Sequence, residues 1–304
     1  MGKIKRVLVV YYSQSGQLLK ILQSLLAPLS RNEQIEVDFC PIRLKQDFPF
    51  PWSYFSFFDA QPESVLEVPA ELAPMDLDLS KDYDLVVLGY QTWFLSPSIP
   101  ITSFLQSEAA KQVIADKPVI TVNGCRNMWI QSQISLKKQV QDLGGRLNWN
   151  ITLVDRSPNV TSVVTIPAWM LSGKRKFFSW LPAAGVNEED ITALSQYGEV
   201  LQAAVLQNQL EQNFSEDYPT EVQPNLILLE QNGKRIFKKW AGLIRLFGGP
   251  GSLSRLPLLL LFSVYLITAI SIMFPVNILV FQLYKTLFRR KLEQRVDSYS
   301  KNRF

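Results

Sequence analysis

The sequence predicts an α/β chain: a doubly wound, five-stranded parallel sheet followed by a helical C-terminal extension. Three observations predict it. Short apolar runs alternate with segments whose leucines recur three and four apart, the pattern of strands alternating with helices. Several of those runs are apolar throughout, as strands covered on both faces must be. Far downstream, residues 256–284 contain no charged residue at all.

The elements follow in order. Arg6–Tyr12 is β-branched and aromatic and reads as the first strand; the leucine-rich Gln17–Leu29 is the first helix. Ile35–Cys40 alternates and is the second strand. About 40 less regular residues follow, including the aromatic stretch DFPFPWSYFSFFDAQP. Tyr83–Tyr90 and Lys117–Gly124 are the third and fourth strands. A helix over Met128–Leu143 stops at Gly144-Gly145, and Leu147–Val154 is the fifth strand. Asp155–Leu181 shows no clear pattern. Asn187 then caps a helix whose first turn is acidic and which extends to about Gln212. The expected division is a folded domain over 1–213, a polar linker over 214–232, and a tail over 233–304.

Composition removes several chemistries. The 304 residues include no histidine, which excludes imidazole bases, Ser-His-Asp triads and His-containing zinc sites. Cys40 and Cys125 are far apart and no signal-like segment precedes the first strand, so reduced thiols facing the cytoplasm are expected. Residues 231–304 hold 13 Lys and Arg against 2 Asp and Glu, a balance of +11; the first 230 hold 18 against 25, a balance of −7. The basic residues surround an apolar segment and form no patch on the folded domain, so no nucleic-acid partner is expected.

Residues 256–284 are long enough to cross a bilayer. Pro275 near the middle would kink one helix or split it into a re-entrant hairpin. Lys238, Lys239, Arg245 and Arg255 precede the segment, and Lys285, Arg289, Arg290 and Lys291 follow it. Positive charge on both sides leaves orientation open and also suits a hairpin with both flanks on one face. A buried core helix is the alternative. Upstream, KRIFKKWAGLIRLF sets Ile236, Phe237, Trp240, Ile244 and Phe247 on one helical face, as in an interfacial helix or a surface helix packed on the domain.

In a doubly wound sheet, ligands sit beyond the carboxyl ends of the strands. Three loops therefore belong together. After the first strand, Ser13, Gln14, Ser15, Gly16, Gln17 and Leu18 open a helix N-terminus, where hydroxyls and backbone N–H groups suit a phosphate. The loop is neither Walker A nor G-x-G-x-x-G. After the third, Gln91, Thr92, Trp93 and Phe94 offer an aromatic platform for a planar ring. After the fourth, Asn123, Gly124, Arg126, Asn127 and Trp129 offer amides, close backbone approach, a cation and a ring. Each loop alone also reads as an ordinary connection or a packed loop. Together they supply what a flavin mononucleotide needs.

The pieces VLVVYYSQSGQ, DYDLVVLGYQTWFLSPSIPITSFL and KPVITVNGCRNMW resemble the flavodoxin-like superfamily, in particular its FMN-dependent reductases and quinone reductases. The resemblance covers about residues 4–155 and implies FMN as cofactor, with NAD(P)H as a reductant. The family loop usually reads Ser/Thr-x-Ser/Thr-Gly-Asn-Thr; Gln17 and Leu18 replace its last two residues, so one phosphate hydroxyl is missing. The Arg-Asn-Met-Trp loop and the apolar segment together resemble the oxidoreductases of bacterial dialkylresorcinol biosynthesis. That implies aromatisation of a cyclohexanedione made by a partner ketosynthase, at the bacterial inner membrane with the folded domain in the cytoplasm.

The expected function is a membrane-attached FMN oxidoreductase for a lipophilic ring compound, such as a cyclohexanedione or a quinone. Arg126 is the expected catalytic residue, stabilising negative charge. Cys125 reads as packing, and no metal site is expected. The aromatic stretch near Phe48–Phe58 is either core or a wall over the flavin. The alternatives are a tethered flavodoxin-type carrier beside a redox protein, and a flavin-free scaffold. The superfamily's reductases are often homo-oligomers.

Overall fold

The computed structural model describes residues 4–210 and 220–302, apart from the side chains of 159, 160, 163, 273–275 and 277–280. The expected end of a helix at Gln212 and the first part of the expected linker lie outside the described residues.

The sheet strands are β1 (Lys5–Tyr11), β2 (Ile35–Pro41), β3 (Leu85–Tyr90), β6 (Pro118–Cys125) and β7 (Arg146–Val154). They are parallel in the order β2-β1-β3-β6-β7, with Val7 opposite Leu85, Val86 opposite Val119 and Val122 opposite Ile151. This is the flavodoxin-like order, with its switch point between β1 and β3. A two-strand hairpin, β4 (Thr92–Trp93) and β5 (Ser96–Pro97), stands on the loop after β3.

The strands are apolar throughout because alternate residues serve opposite faces. Val7, Val9, Leu85 and Val87 meet α1 (Gln17–Ser30) and α8 (Glu188–Gln207). Leu8, Val10, Val86 and Leu88 meet the opposite layer, which includes α4 (Ile99–Leu105), α5 (Glu108–Ile114) and α6 (Ile130–Asp142). On α1, Leu18, Ile21, Leu22, Leu25, Leu26 and Leu29 form one fully buried stripe. Gly198 of α8 permits the close approach to α1: a Cβ there would lie 2.0 Å from the Leu25 carbonyl oxygen.

Three stretches are more ordered than expected. The aromatic insertion forms α2 (Tyr54–Asp59), with a Ser53–Ser56 capping box, and α3 (Gln61–Leu66). α7 (Asn159–Ser172) occupies the segment without a clear pattern and ends at Gly173 in the left-handed region. The apolar segment is one helix, α10 (Leu256–Leu287), unbroken across position 275, so the hairpin reading does not hold for its backbone.

The C-terminal helices pack back on the sheet domain. α9 (Ile227–Arg245) buries Glu230, Lys234, Ala241 and Ile244, while Ile236 and Phe247 are exposed. Its inward face is thus shifted from the expected apolar one. Arg255, expected to flank the apolar segment at a membrane surface, is fully buried. It pairs with Glu63 at 2.7 and 3.1 Å and Asp59 at 3.1 Å, and donates to the Gly248 carbonyl. α11 (Arg289–Ser300) returns to the domain through Leu292 and Tyr299.

Candidate functional site

The three expected loops converge on one cleft of about 290 Å³ at the carboxyl rim of the sheet. Its lining includes Gln14, Ser15 and Gln17 from the first loop, Gln91–Leu95 from the second, and Gly124–Met128 from the third.

The first loop is built as a helix N-terminus. Gly16 turns the chain at φ 81, which favours glycine. Ser13 Oγ accepts from the Leu19 amide at 3.1 Å and so braces the first turn. The amides of Ser15, Gly16, Gln17 and Leu18 have no acceptor among the described residues. These are the orphan donors that every helix start leaves, here beside a cleft. The longer side chains point elsewhere. Gln17 exchanges two hydrogen bonds with the backbone of Val186, at 3.0 and 3.1 Å. Gln14 donates to the Pro49 carbonyl and accepts from the Trp52 indole. Leu18 is buried in the α1 stripe, so its contribution to the loop is its backbone alone.

The second loop is stiffened by rings. Trp93 lies 5.3 Å from Trp52 and 5.0 Å from Phe48, centroid to centroid, and Phe94 lies 5.0 Å from Phe57. Phe94 and Leu95 both take positive φ, 48 and 62, which side chains adopt at a cost. The Phe57–Phe94 contact and the β4–β5 pairing hold them there. Gln91 lines the cleft, and its Oε1 is buried without a partner. Several other buried side-chain atoms among the described residues share this state, so it does not by itself mark a ligand. Asn123, fully buried, donates to Thr92 Oγ1 at 3.1 Å, and its own Oδ1 is a second buried orphan.

In the third loop, Arg126 Nε donates to Ser162 Oγ of α7 at 2.8 Å. Burial pulls the guanidinium below its usual pKa, and the charge of Asp155 opposes that shift. Asn127 is buried beside it and lines the cleft. Gly124 approaches α1 so closely that a Cβ would meet Ile21 at 2.7 Å. Burial, reinforced by Glu230, raises the Cys125 thiol well above its ordinary value, so it is no nucleophile. Trp129 is not with the others. It is buried against Ile227, Leu292 and Tyr299, and its indole donates to the Glu221 carbonyl.

Further lining comes from distant elements. Ile166, Trp169 and Met170 of α7, Gly185, Phe50 of the insertion and Phe237 of α9 all border the cleft. No motif marks them; a helical reading of the 159–172 segment would have suggested the first three. A larger hollow of about 670 Å³ lies beyond the insertion. Its Asp59 and Glu63 are paired with Arg255 and its Glu71 with Lys45. Among the described residues no acidic or cysteine cluster suits a metal ion.

No protein-family model matches the chain, and no curated protein matches it. Several solved structures resemble it in part. A flavoprotein from Lactobacillus acidophilus NCFM, in complex with FMN, is 16% identical, covers 49% of this chain and 93% of its own, and has a TM-score of 0.39. A flavodoxin from the domain Archaea is 12% identical over 66% of this chain and 99% of its own, with a TM-score of 0.37. Oxidised flavodoxin 1 from Bacillus cereus is 15% identical over 67% and 98%, with a TM-score of 0.33. The fold class rests on the strand pairing, independently of these likenesses.

Proposed function

We propose that the chain binds FMN at this rim and is a membrane-attached, flavin-dependent oxidoreductase for a lipophilic ring substrate. The observation that carries the reading is the set of unpartnered amides at Ser15–Leu18, of which Ser15 and Gln17 line a cleft shared with Gln91, Trp93 and Phe94. Donors at one end suit a phosphate; an acceptor beside Trp93 suits the N–H edge of a polar ring.

The residues present fit the cofactor, with one economy. Leu18 brings no hydroxyl, so the phosphate would rest on four amides and Ser15 in place of a fuller hydroxyl set. FMN, when bound, supplies hydride acceptance and donation at its ring. The chain's own residues do the rest. Ser13 fixes the first turn and so aims the amides. Trp93 and Phe94, wedged by Phe48, Trp52 and Phe57, would set the ring's place. Ser162 orients Arg126, whose cation stabilises negative charge growing on a flavin or an enolate-like substrate. Phe50, Trp169, Met170 and Phe237 exclude water and favour an apolar substrate.

Two ring chemistries suit such a wall. One is oxidation of a cyclohexanedione to a dialkylresorcinol, whose two electrons would pass to the flavin and on to an external acceptor such as dioxygen or a quinone; the other is quinone reduction, with NAD(P)H as the source of hydride. The full chain, purified in detergent, is expected to be yellow, with one releasable FMN per chain. It is expected to turn over one of those substrates. A chain that is colourless and takes up no FMN overturns the reading. Flavin without turnover, but with one-electron exchange to a protein, would make it a carrier.

A further inference from the structure

α10 carries 32 residues, a length of roughly 48 Å at the helical rise. Near its start, Leu259 and Phe262 pack on Phe58 and Ile244. Near its end, Phe281 and Tyr284 pack against Trp129, Ile227 and Leu292. α9 runs the opposite way between the same two clusters, from Ile227 to Ile244. Both ends of the apolar helix therefore rest on one folded body. A helix that crosses a bilayer has its ends on opposite sides of about 30 Å of hydrocarbon. One charged body cannot hold both ends without entering that layer. The unbroken helix also excludes a hairpin.

The outer face of α10 is nevertheless apolar and bare. Leu260, Leu261, Val264, Ile267, Ile272 and Leu283 are exposed, and the window Leu253–Ile272 has a mean hydropathy of 2.0 with only 22% of it buried. Leu246 and Leu253, in the turn before it, are about four-fifths exposed at 80% and 78%. The exposed charges nearest this face in sequence are mostly cations. Arg235, Lys238 and Lys239 are exposed on α9, and Lys285, Arg290 and Lys291 lie at the far end. No Asp or Glu occurs between Glu230 and Glu293. An apolar stripe flanked mainly by cations complements one surface above all, a leaflet with anionic headgroups.

The cleft reaches α10 only on the side turned to the domain, where Phe262 is buried. Phe237 lines the cleft, and its ring meets Phe94 at 6.4 Å and Phe262 of α10 at 5.7 Å. On α7, Ile166, Trp169 and Met170 also line it, and Phe177 and Trp180 just downstream are exposed.

We propose that α10 lies in the plane of an anionic leaflet, a monotopic attachment with no crossing. The attachment does not depend on the flavin reading above.

The test uses the full chain added to preformed vesicles of phosphatidylcholine and phosphatidylglycerol at three to one. Gly249→Cys and Lys291→Cys bracket α10 at exposed positions. Both are expected to react with an impermeant maleimide from the outside, with no gain on adding detergent, above the labelling of the parent chain. Protection of Lys291→Cys until detergent is added would show a crossing and overturn the proposal. Flotation with the vesicles is expected to fall at least ten-fold with phosphatidylcholine alone, and again in the double variant Lys238→Glu, Lys239→Glu. A chain that ignores vesicles and runs as a detergent-free dimer would assign the face to a second copy instead. Flavin absorbance of the same samples reads the cleft separately. Its retention when docking fails would leave the cofactor reading intact.

Discussion

The sheet domain and the C-terminal helices are held by different forces. In β1 and β3, Val7–Val10 and Leu85–Leu88 are all fully buried and belong to the two apolar clusters on either face of the sheet. The C-terminal helices are fastened by buried polar and ionisable side chains. Arg255 sits on Asp59 and Glu63, Lys234 reaches Ser96 and Glu67, and Glu230 accepts from the Gln131 amide at the start of α6. Apolar burial is non-directional and tolerates small shifts. A buried ion pair is favourable in one arrangement and penalised in every other. The extension is thus docked in a defined pose on the domain.

The strongest way to break this contrast is Arg255→Met. It leaves buried Asp59 without its cation and Glu63 with only Arg245, at 3.7 Å, which is expected to cost about 3 kcal/mol. Urea unfolding in detergent would measure it. The triple variant that adds Asp59→Asn and Glu63→Gln should recover most of the loss, because the apolar substitute no longer faces charge. A cost below about 1 kcal/mol for Arg255→Met would show that the clamp is solvated and ordinary.

The sheet domain should fail by shape instead. Gly198→Ala drives a methyl group into the Leu25 carbonyl and forces α8 off α1. We expect a loss of about 3 kcal/mol, typical of severe overpacking. No second-site change of charge should rescue it.

A pH series sharpens the contrast further. Burial raises the Glu230 carboxyl from 4.5 to about 8. The folded chain therefore keeps a proton that the unfolded chain releases, so this contribution is full below about 4.5 and is lost as pH rises through 8. Lys234, lowered by burial to about 8, acts in the opposite sense, adding stability as pH rises from there towards 10.5. The two give a stability minimum near pH 8, with limbs no steeper than about 1.4 kcal/mol per pH unit per proton. Glu230→Gln should remove the acid-side limb and leave the other.

The same contrast explains what was legible in the sequence. All five sheet strands lie within two residues of where apolar runs placed them, and the three rim loops converge as their place after β1, β3 and β6 implied. Those features depend on local pattern and topology. Asp59, Glu63 and Arg255 are 192 and 196 residues apart, and no local pattern joins them. α7 was hidden by its composition: Val160–Ile166 is rich in β-branched residues, and Pro167 lies inside the helix. Gln17 and Leu18 were read as weakened phosphate ligands, and their side chains serve Val186 and the core instead.

Trp129 is the clearest miss and supports the finest test. It lies two residues beyond Asn127, but the chain turns between them, and the indole ends in the cluster that seats α9 and α11. Trp129→Phe keeps the ring's bulk and strands the Glu221 carbonyl, so it should cost about 1 kcal/mol of stability. It should leave FMN affinity unchanged. Gly16→Ala is its complement. The added Cβ meets nothing within 4 Å, so its only cost is the left-handed backbone, again about 1 kcal/mol. If that strain is relieved by rotating the loop, the Ser15–Leu18 amides turn away from the phosphate and FMN dissociation should rise roughly five-fold, the same free energy seen at the site. Equal losses of stability, with flavin affinity lowered by one variant and unchanged in the other, would separate residues that would hold the cofactor from those that only hold the helices. If Trp129→Phe weakened FMN as much as Gly16→Ala does, the C-terminal helices would be part of the cofactor site itself.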